Sequence, residues 1–433
     1  MNDTSPAAAL APLLTPEGWA LLGSLPPYEE SEALRLGESL RAAGHDGALV
    51  AAALTQQRLR SRAAAKFGDF AQRMLFTPDG LEQATRLAVS AHHAARYARA
   101  GVSRVADLGC GIGGDALALA GLGLDVLAVE RDEPTAALAT VNLMPFERAR
   151  VRCADALTVD LEAEDVDAVF ADPARRANGR RLSDPEQWSP RLSQVLALRE
   201  RVGAVGVKVA PGTDHAVMPP DCHAQWVSVA GDVVEAALWC GPLAPEGPGR
   251  SALVLSPGPD AQLRTHLLVD PVATDPSSEP EQLDPVRGTE ELGEYLMEPD
   301  GAVIRAGLVA EVARRTLSRP VGTRIAYLTG DTLPEPALAP FVTCWRLREV
   351  LPLHLRSLKA RVRERGIGRL EIHKRGVDVS PDALRASLRL RGPAGETWVL
   401  TRVGQRAGSR GAGAARAAGG AGSKGAVLVV EPV

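Results

Sequence analysis

The stretch Val105-Ala-Asp-Leu-Gly-Cys-Gly-Ile-Gly-Gly-Asp115 runs straight into the apolar segment Ala116–Ala120, a pattern that predicts a short buried strand turning through glycines into a helix. No other stretch narrows the folding options of the chain as far. Gly109, Gly111 and Gly113 carry no Cβ to keep a ligand off the backbone, and the first amides of the helix that follows have no intrahelical partner. The turn is built to hold a ligand.

The flanking segments set the architecture. Up to about Tyr97 the chain reads as helical: Thr15-Pro16 is an N-cap followed by proline at the first helical position, and Leu49–Leu59 and Leu81–Tyr97 carry apolar residues at helical spacing. From Arg104 the period changes. Arg104–Leu108, Asp125–Glu130, Arg150–Cys153, Val166–Ala171 and Val202–Val209 are short and rich in Val and Ala. Helical segments such as Pro134–Leu143 and Pro190–Leu198 separate them, with Ser189 as the expected cap of the latter. Alternation of this kind predicts an α/β fold, a parallel sheet with helices on both faces. Trp226–Ala230 and Val233–Trp239, joined by Gly231-Asp232, add a terminal antiparallel hairpin. The Pro-, Gly- and Asp-rich segment 241–285, with one apolar run at Ala252–Leu255, reads as partly linker. Beyond it, helices are expected at Ala302–Leu317 and Leu351–Arg365, and strands at Arg324–Leu328, Gly368–Ile372, Trp398–Val403 and Ala426–Val430. Gln405–Gly425, almost wholly Gly, Ala, Ser and Arg, is expected to be a disordered loop. With 433 residues, 45% of them hydrophobic, the chain has room for three parts: a helical domain over 1–98, an α/β domain over 99–280 and a small α+β domain over 281–433.

Composition excludes several classes. No uninterrupted apolar run approaches the ~18 residues of a membrane span, and the N-terminus lacks the basic-then-apolar order of a signal peptide, so no membrane partner and a cytoplasmic location are expected. The cysteines Cys110, Cys153, Cys222, Cys240 and Cys344 are scattered without a C-x-x-C pair, which suits a reducing compartment and supplies no zinc framework. The neighbours His92-His93 and Cys222-His223 do not aim at one ion, and no metal is expected. The net charge of −4 is unevenly spread: Arg346 to Arg391 holds thirteen Arg or Lys against five Asp or Glu, a local +8 that leaves −12 elsewhere. Such a window is either a solvated helix face or a phosphate-facing surface.

The chemistry is carried by acids at strand ends. Glu130 closes the second predicted strand, about twenty residues beyond the glycine loop, where a carboxylate can accept both hydroxyls of an adenosine ribose. Asp155 follows the third strand and Asp172-Pro173 the fourth. Ligands bind at the carboxyl ends of strands in an open parallel sheet, so Asp107, Glu130, Asp155 and Asp172 are predicted on one rim. The glycine spacing alone leaves a nicotinamide dinucleotide and S-adenosylmethionine open.

Asp107-x-Gly109-x-Gly111-x-Gly113, Glu130, Asp155, Asp172-Pro173 and a sheet closed by a hairpin resemble a class I S-adenosylmethionine-dependent methyltransferase over Val102–Gly241. The resemblance implies a Rossmann-like seven-stranded sheet, parallel with a terminal antiparallel hairpin. It implies that Asp107 and the glycines hold the methionine portion of the cofactor, Glu130 the ribose and Asp155 the adenine. Upstream, Lys66-Phe67 and Phe76-Thr77-Pro78 with Gln83-Ala84-Thr85 are similar to the segment leading into trimethylguanosine synthase-like enzymes, which implies Phe76 and Thr77 at the cofactor site. Glu298-Pro299 and Lys374-Arg375-Gly376 resemble the THUMP-like domain of bacterial methyltransferases. THUMP domains bind RNA, so RNA is the implied partner.

One departure from the pattern bears on the substrate. Enzymes that methylate base amino groups carry Asn or Asp, Pro, Pro and a stacking aromatic, whereas this chain has Asp172-Pro173-Ala174-Arg175, leaving stacking to Arg175, Phe76 or Trp188. The tetrapeptide is also similar to that of RNA uracil-C5 methyltransferases, whose chemistry needs a cysteine after the fifth strand. Lys208-Val-Ala-Pro-Gly212 stands there, so a covalent C5 route is excluded. The expected activity is methyl transfer to a base nitrogen of RNA. Asp172, followed by Pro173, would accept a hydrogen bond from the amine, and Arg175, Arg356, Lys359, Arg363, Lys374 and Arg375 would contact RNA. The alternatives are an RNA-binding protein that holds S-adenosylmethionine without turnover, and a small-molecule methyltransferase.

Overall fold

Side-chain caps mark the starts of several helices in the first third of the chain. In the computed structural model, which describes residues 8–177, 180–258, 262–272, 274–404 and 425–433, Thr15 caps α1 (Pro16–Ser24) by accepting the Gly18 N–H at 3.0 Å. Asp46 caps α3 (Gly47–Phe67), with α2 (Ala33–Ala42) between them. The helix expected over Leu81–Tyr97 is two helices, α4 (Pro78–Gln83) and α5 (Leu87–Arg99). The break has a source in α3. Lys66 Nζ donates to the carbonyls of Leu81, Glu82 and Ala84 at 2.7, 2.7 and 2.9 Å, which draws the end of α4 away from a continuing helix.

The chain divides into two units. The first comprises Met1–Thr213, Asp221–His223 and Ala236–Gly247. Its sheet is built from β1 (Arg104–Leu108), β2 (Asp125–Glu130), β3 (Ala149–Cys153), β4 (Ala168–Ala171) and β7 (Ala204–Val209), with α6 (Gly114–Gly121), α7 (Glu133–Leu143) and α8 (Leu192–Ala197) in the connections. The order β3-β2-β1-β4-β7 is parallel throughout, and the far half of β9 (Asp232–Cys240) runs antiparallel to β7. Strand order reverses between β1 and β4, where such sheets leave a crevice for a ligand. Two short segments, β5 (Arg176–Ala177) and β6 (Arg180–Arg181), pair after β4. Helix α8 begins at Leu192 and not at Pro190, because the Ser189 backbone pairs with Ala174 (2.8 and 3.1 Å) in place of capping a helix. The aromatic rings of Tyr97, Phe170 and Trp239 pack into the core of this unit, and the Tyr97 hydroxyl donates to the Val169 carbonyl at 2.6 Å. Cys222 and Cys240, read above as unrelated thiols, form a disulfide across 18 residues of sequence.

The second unit takes Asp214–Pro220, Ala224–Glu235 and Pro248–Val433. Here β8 (His223–Val229) lies between β9 and β10 (Gly249–Pro257), and β11 (Leu263–Val269) follows β10. The expected sheet of seven strands ending in a hairpin is therefore exceeded, because β10 and β11 extend it to nine. Much of the segment read as linker is strand. A second sheet has the order β13 (Arg319–Gly322), β14 (Ile325–Gly330), β12 (Tyr295–Pro299), β15 (Val342–Pro352), β18 (Gly425–Pro432), β17 (Ala394–Arg402) and β16 (Ile367–Lys374). The helix expected over Ala302–Leu317 is broken into α9 (Gly301–Arg305) and α10 (Val309–Arg315). Gly307 sits at the break with φ 73°, a conformation that disfavours any side chain. Helix α11 (Leu355–Arg365) starts later than the sequence suggested, since Leu351 and Pro352 complete β15; with α12 (Pro381–Leu388) it packs Leu358, Val362 and Leu384 against Trp398 and Leu400 of the sheet. Apart from Gly425, which opens β18, the loop expected over 405–425 lies outside the described residues. No helix among the described residues is long and apolar enough to cross a membrane.

Candidate active site

The glycine loop is fastened on three sides. The N–H groups of Gly109 and Cys110 both donate to the Val129 carbonyl of β2, at 2.9 and 3.0 Å. Gly109 has φ 86°, and a Cβ there would lie 3.1 Å from the Asp172 carbonyl oxygen, so glycine lets the β1 turn approach the β4 turn. The third tie is Asn142 of α7, a residue that no sequence pattern singled out. Its buried amide donates to the carbonyls of Ile112 (2.9 Å) and Leu75 (3.0 Å) and accepts the Leu75 N–H (2.7 Å), joining the loop to the segment before Phe76.

The acids stand at the strand ends in different states. Asp107, in β1, is 1% exposed, and burial, reinforced by the charges of Asp115 and Asp172, pushes its carboxyl well above the usual range. Its Oδ2 is buried without a hydrogen-bond partner among the described residues. Glu130 is half-buried and already oriented: Oε2 accepts the Gly111 N–H at 3.1 Å and Oε1 the Asp132 N–H at 2.9 Å. The Ala154 N–H donates to the Glu130 carbonyl at 3.1 Å, which sets the ends of β2 and β3 side by side. Asp155 is exposed and accepts the Leu157 N–H at 2.9 Å.

Asp172 follows β4 directly, and its N–H donates to Leu108 at 3.3 Å. Its Oδ2 receives Lys208 Nζ at 2.8 Å, while Oδ1 lies 3.8 Å from the Arg175 guanidinium. Pro173 is buried behind it. Lys208 continues inward to Thr85 Oγ1 (2.8 Å), which donates to Asp115 Oδ2 (2.8 Å), whose Oδ1 meets His93 Nδ1 (2.9 Å). Burial opposes ionisation of Asp115, but the His93 and Thr85 hydrogen bonds and the Lys208 charge hold it below the usual carboxylate range. The sequence had marked Lys208 only for not being a cysteine. Its partners are 36 and 123 residues away, so no local spacing announces the contact.

Of the two residues that the resemblance implied at the cofactor site upstream of the loop, Phe76 is withdrawn into the core and Thr77 stays half-buried near Ile112 of the loop. Phe76 is fully buried, its ring 5.6 Å from that of Phe67 and its backbone held by Gln56, so it presents no face to a ligand. Thr77 caps α4 by accepting the Gly80 N–H at 3.0 Å. Trp188 is also buried, with its indole N–H donated to Leu182 at 3.2 Å. Of the three stacking candidates, only Arg175 keeps partial exposure.

In the second unit the cations fall into two groups. Arg356, Lys359 and Arg363 project from α11 and Lys374 from the end of β16, without a hydrogen bond or ion pair among the described residues; Arg356, Arg363 and Lys374 are exposed and Lys359 half-buried. Arg375 departs from expectation. Its guanidinium is committed to Glu298 at 2.7 and 2.8 Å and lies over the Tyr327 ring, so it is not free for a phosphate. Leu358 and Val362 of α11 are buried, whereas Leu355 is 43% exposed. A cavity of about 530 Å³ beside α11 is lined by Arg348, Arg361, Arg365 and Arg369 together with glutamates, and the first two of these arginines are ion-paired. Among the described residues no cluster of three or more metal-ligating side chains occurs.

Residues 106–174 match a methyltransferase domain family, residues 342–414 a THUMP domain-like family, and residues 6–63 a domain family of unknown function. Uncharacterized S-adenosylmethionine-dependent methyltransferases from two strains of Mycobacterium tuberculosis are each 35% identical to the chain over 356 residues, 80% of its length and 91% of theirs. The chain belongs to the S-adenosylmethionine-dependent methyltransferases. It is a class I methyltransferase with a THUMP-like domain, and S-adenosylmethionine is its cofactor. The fold agrees with a crystal structure from Porphyromonas gingivalis W83, solved as that of a candidate methyltransferase: 18% identical, TM-score 0.66, covering 94% of this chain and 99% of that one. The donor set of this methyltransferase suits the cofactor. Gly109 and Gly113, at φ 86° and 88°, leave the loop without a Cβ at those positions, the buried Asp107 Oδ2 has no hydrogen-bond partner among the described residues, and the Glu130 carboxylate is held by the loop through the Gly111 N–H.

Proposed function

We propose that this methyltransferase modifies a base nitrogen of RNA, with Asp172 as the group that meets the acceptor. The observation that carries the reading is the Asp172 carboxylate: one oxygen is anchored on the buried Lys208, the other is turned toward the partly exposed Arg175, and the backbone abuts the glycine loop. Asp107 and the glycines would hold the methionine portion of S-adenosylmethionine, Glu130 the ribose hydroxyls and Asp155 the adenine edge. When bound, the cofactor supplies a methyl group already activated for transfer.

The remaining work falls to the chain. A base amine is a poor nucleophile because its lone pair is delocalised into the ring. An anchored carboxylate that accepts its N–H localises that pair and steadies the developing charge, and fixed orientation contributes roughly 7–11 kcal/mol in favourable cases. Arg175 would face the base, and Pro173 stiffens the turn that presents Asp172. RNA is favoured over a small acceptor by the THUMP-like match and by Arg356, Lys359, Arg363 and Lys374, whose charges no other described side chain neutralises. In this reading the domains are 1–98, 99–280 and 281–433. The test is incubation of the protein with labelled S-adenosylmethionine and separate fractions of total RNA, protein and metabolites. Label is expected in RNA; label confined to another fraction would replace the substrate.

A further inference from the structure

We propose that Lys208 is a positioning residue for Asp172, and that the buried series Thr85, Asp115 and His93 holds its ammonium in place. The inference rests on Asp172 being the group that meets the acceptor.

The geometry is that of a cation fastened from behind. Lys208 lies on β7, next to β4, and its side chain is 5% exposed while that of Asp172 is 26% exposed. Its ammonium touches Asp172 Oδ2 and Thr85 Oγ1, both at 2.8 Å. A lysine normally carries its charge into water, and burying one is costly unless it is paired and hydrogen-bonded. Here the compensation lies on both sides. In front is Asp172; behind, Thr85 turns its proton to Asp115 and so offers Lys208 an oxygen lone pair. Asp115 is in turn held by His93, whose ring is wedged between Phe170 and Trp239 at 5.1 and 5.4 Å. The charge balance also needs Lys208. Asp115 and Asp172 both oppose the ionisation of Asp107, and the Lys208 charge eases that of Asp107 and, after His93, that of Asp115. Without it, the Asp172 carboxylate would lose the contact that fixes its rotamer, and Oδ1 would no longer be held toward the acceptor side.

The test is a cycle of variants: Lys208→Met, Asp172→Asn and the pair together, with Lys208→Arg and Thr85→Val alongside. Turnover is read with labelled S-adenosylmethionine in whichever of the RNA, protein and metabolite fractions the wild type labels, and cofactor affinity by calorimetry. Lys208→Met is expected to lower kcat by about tenfold or more while cofactor affinity stays within about twofold. The double variant should be no slower than Asp172→Asn, because Lys208 acts through Asp172. Lys208→Arg should recover part of the rate. Thr85→Val, which keeps the ammonium and its contact to Asp172 but removes one of its rear hydrogen bonds, should give a smaller loss that vanishes in the Asp172→Asn background. Independent, multiplying losses would overturn the proposal, as would parallel loss of rate and cofactor affinity. Label in a fraction other than RNA would overturn the substrate reading alone and leave this cycle decisive. No label in any fraction would overturn both.

Discussion

The Asp172 site and the α11 surface both use charge, in opposite ways. At Asp172 each charged group is held by another: Lys208 by Asp172 and Thr85, Asp115 by Thr85 and His93. On α11, Arg356, Lys359 and Arg363 have no partner among the described residues, Arg356 and Arg363 exposed and Lys359 half-buried. Paired charges in low dielectric are orienting devices, worth most when the geometry is fixed; unpaired charges in water are attractors, worth most when a polyanion arrives and releases its counterions. One region is suited to chemistry and the other to capture, so perturbing them should fail in different assays.

The largest effect should come from the first region. Asp172→Ala should lower turnover by ~10² or more and leave cofactor affinity nearly unchanged, as calorimetry beside a rate assay will show. Equal loss of both would recast Asp172 as part of the cofactor site and blur the contrast. The α11 surface comes next. Reversing Arg356, Lys359 and Arg363 to Glu should reduce affinity for RNA by about tenfold or more and flatten the dependence of log affinity on log salt by about three units or somewhat less, with free cofactor bound as before. Unchanged salt dependence in a filter-binding titration would reduce the helix to a solvated face. Glu130→Ala should weaken S-adenosylmethionine roughly tenfold to a hundredfold by removing charge-assisted hydrogen bonds of ~1.5–3 kcal/mol, again by calorimetry.

The smallest effect concerns stability. Asp107 has a folded-state pKa raised by burial and by Asp115 and Asp172. Its contribution is therefore favourable below the unfolded value of about 3.9 and is lost as pH rises above it, because the unfolded chain releases the proton and the folded chain resists. Asp107→Asn should raise the melting midpoint at pH 7 by about 2 °C and raise it less at pH 4, while weakening cofactor binding. A lower midpoint at pH 7 would contradict the claim that burial of the Asp107 carboxyl costs stability there.

The two regions were also unequally legible. Strand β1, its glycine turn and α6 were readable because the turn requires residues without Cβ and the strands require apolar runs, both local demands. The placement of Glu130, Asp155 and Asp172 at strand ends followed from the same alternation. What the sequence concealed depends on partners far along the chain. Lys66 splits a helix from 15 to 18 residues away, Asn142 reaches Leu75 across 67, and Lys208 meets Thr85 across 123. Phe76 and Trp188 looked available because a lone aromatic carries no sign of burial, and both are core. On α11 the three-and-four spacing of the basic residues was legible, whereas the commitment of Arg375 to Glu298, 77 residues away, was not. Cys222 and Cys240 escaped notice for the same reason, being brought together by β8 and β9.

The most direct test of the account is nucleoside analysis by mass spectrometry of total RNA incubated with isotopically labelled S-adenosylmethionine and either the wild-type protein or Asp172→Ala. The account predicts one labelled nucleoside, with the methyl on a base nitrogen, formed by the wild type and diminished by ~10² or more in the variant. Label on a ribose or on a base carbon, or equal labelling by the two proteins, would contradict it.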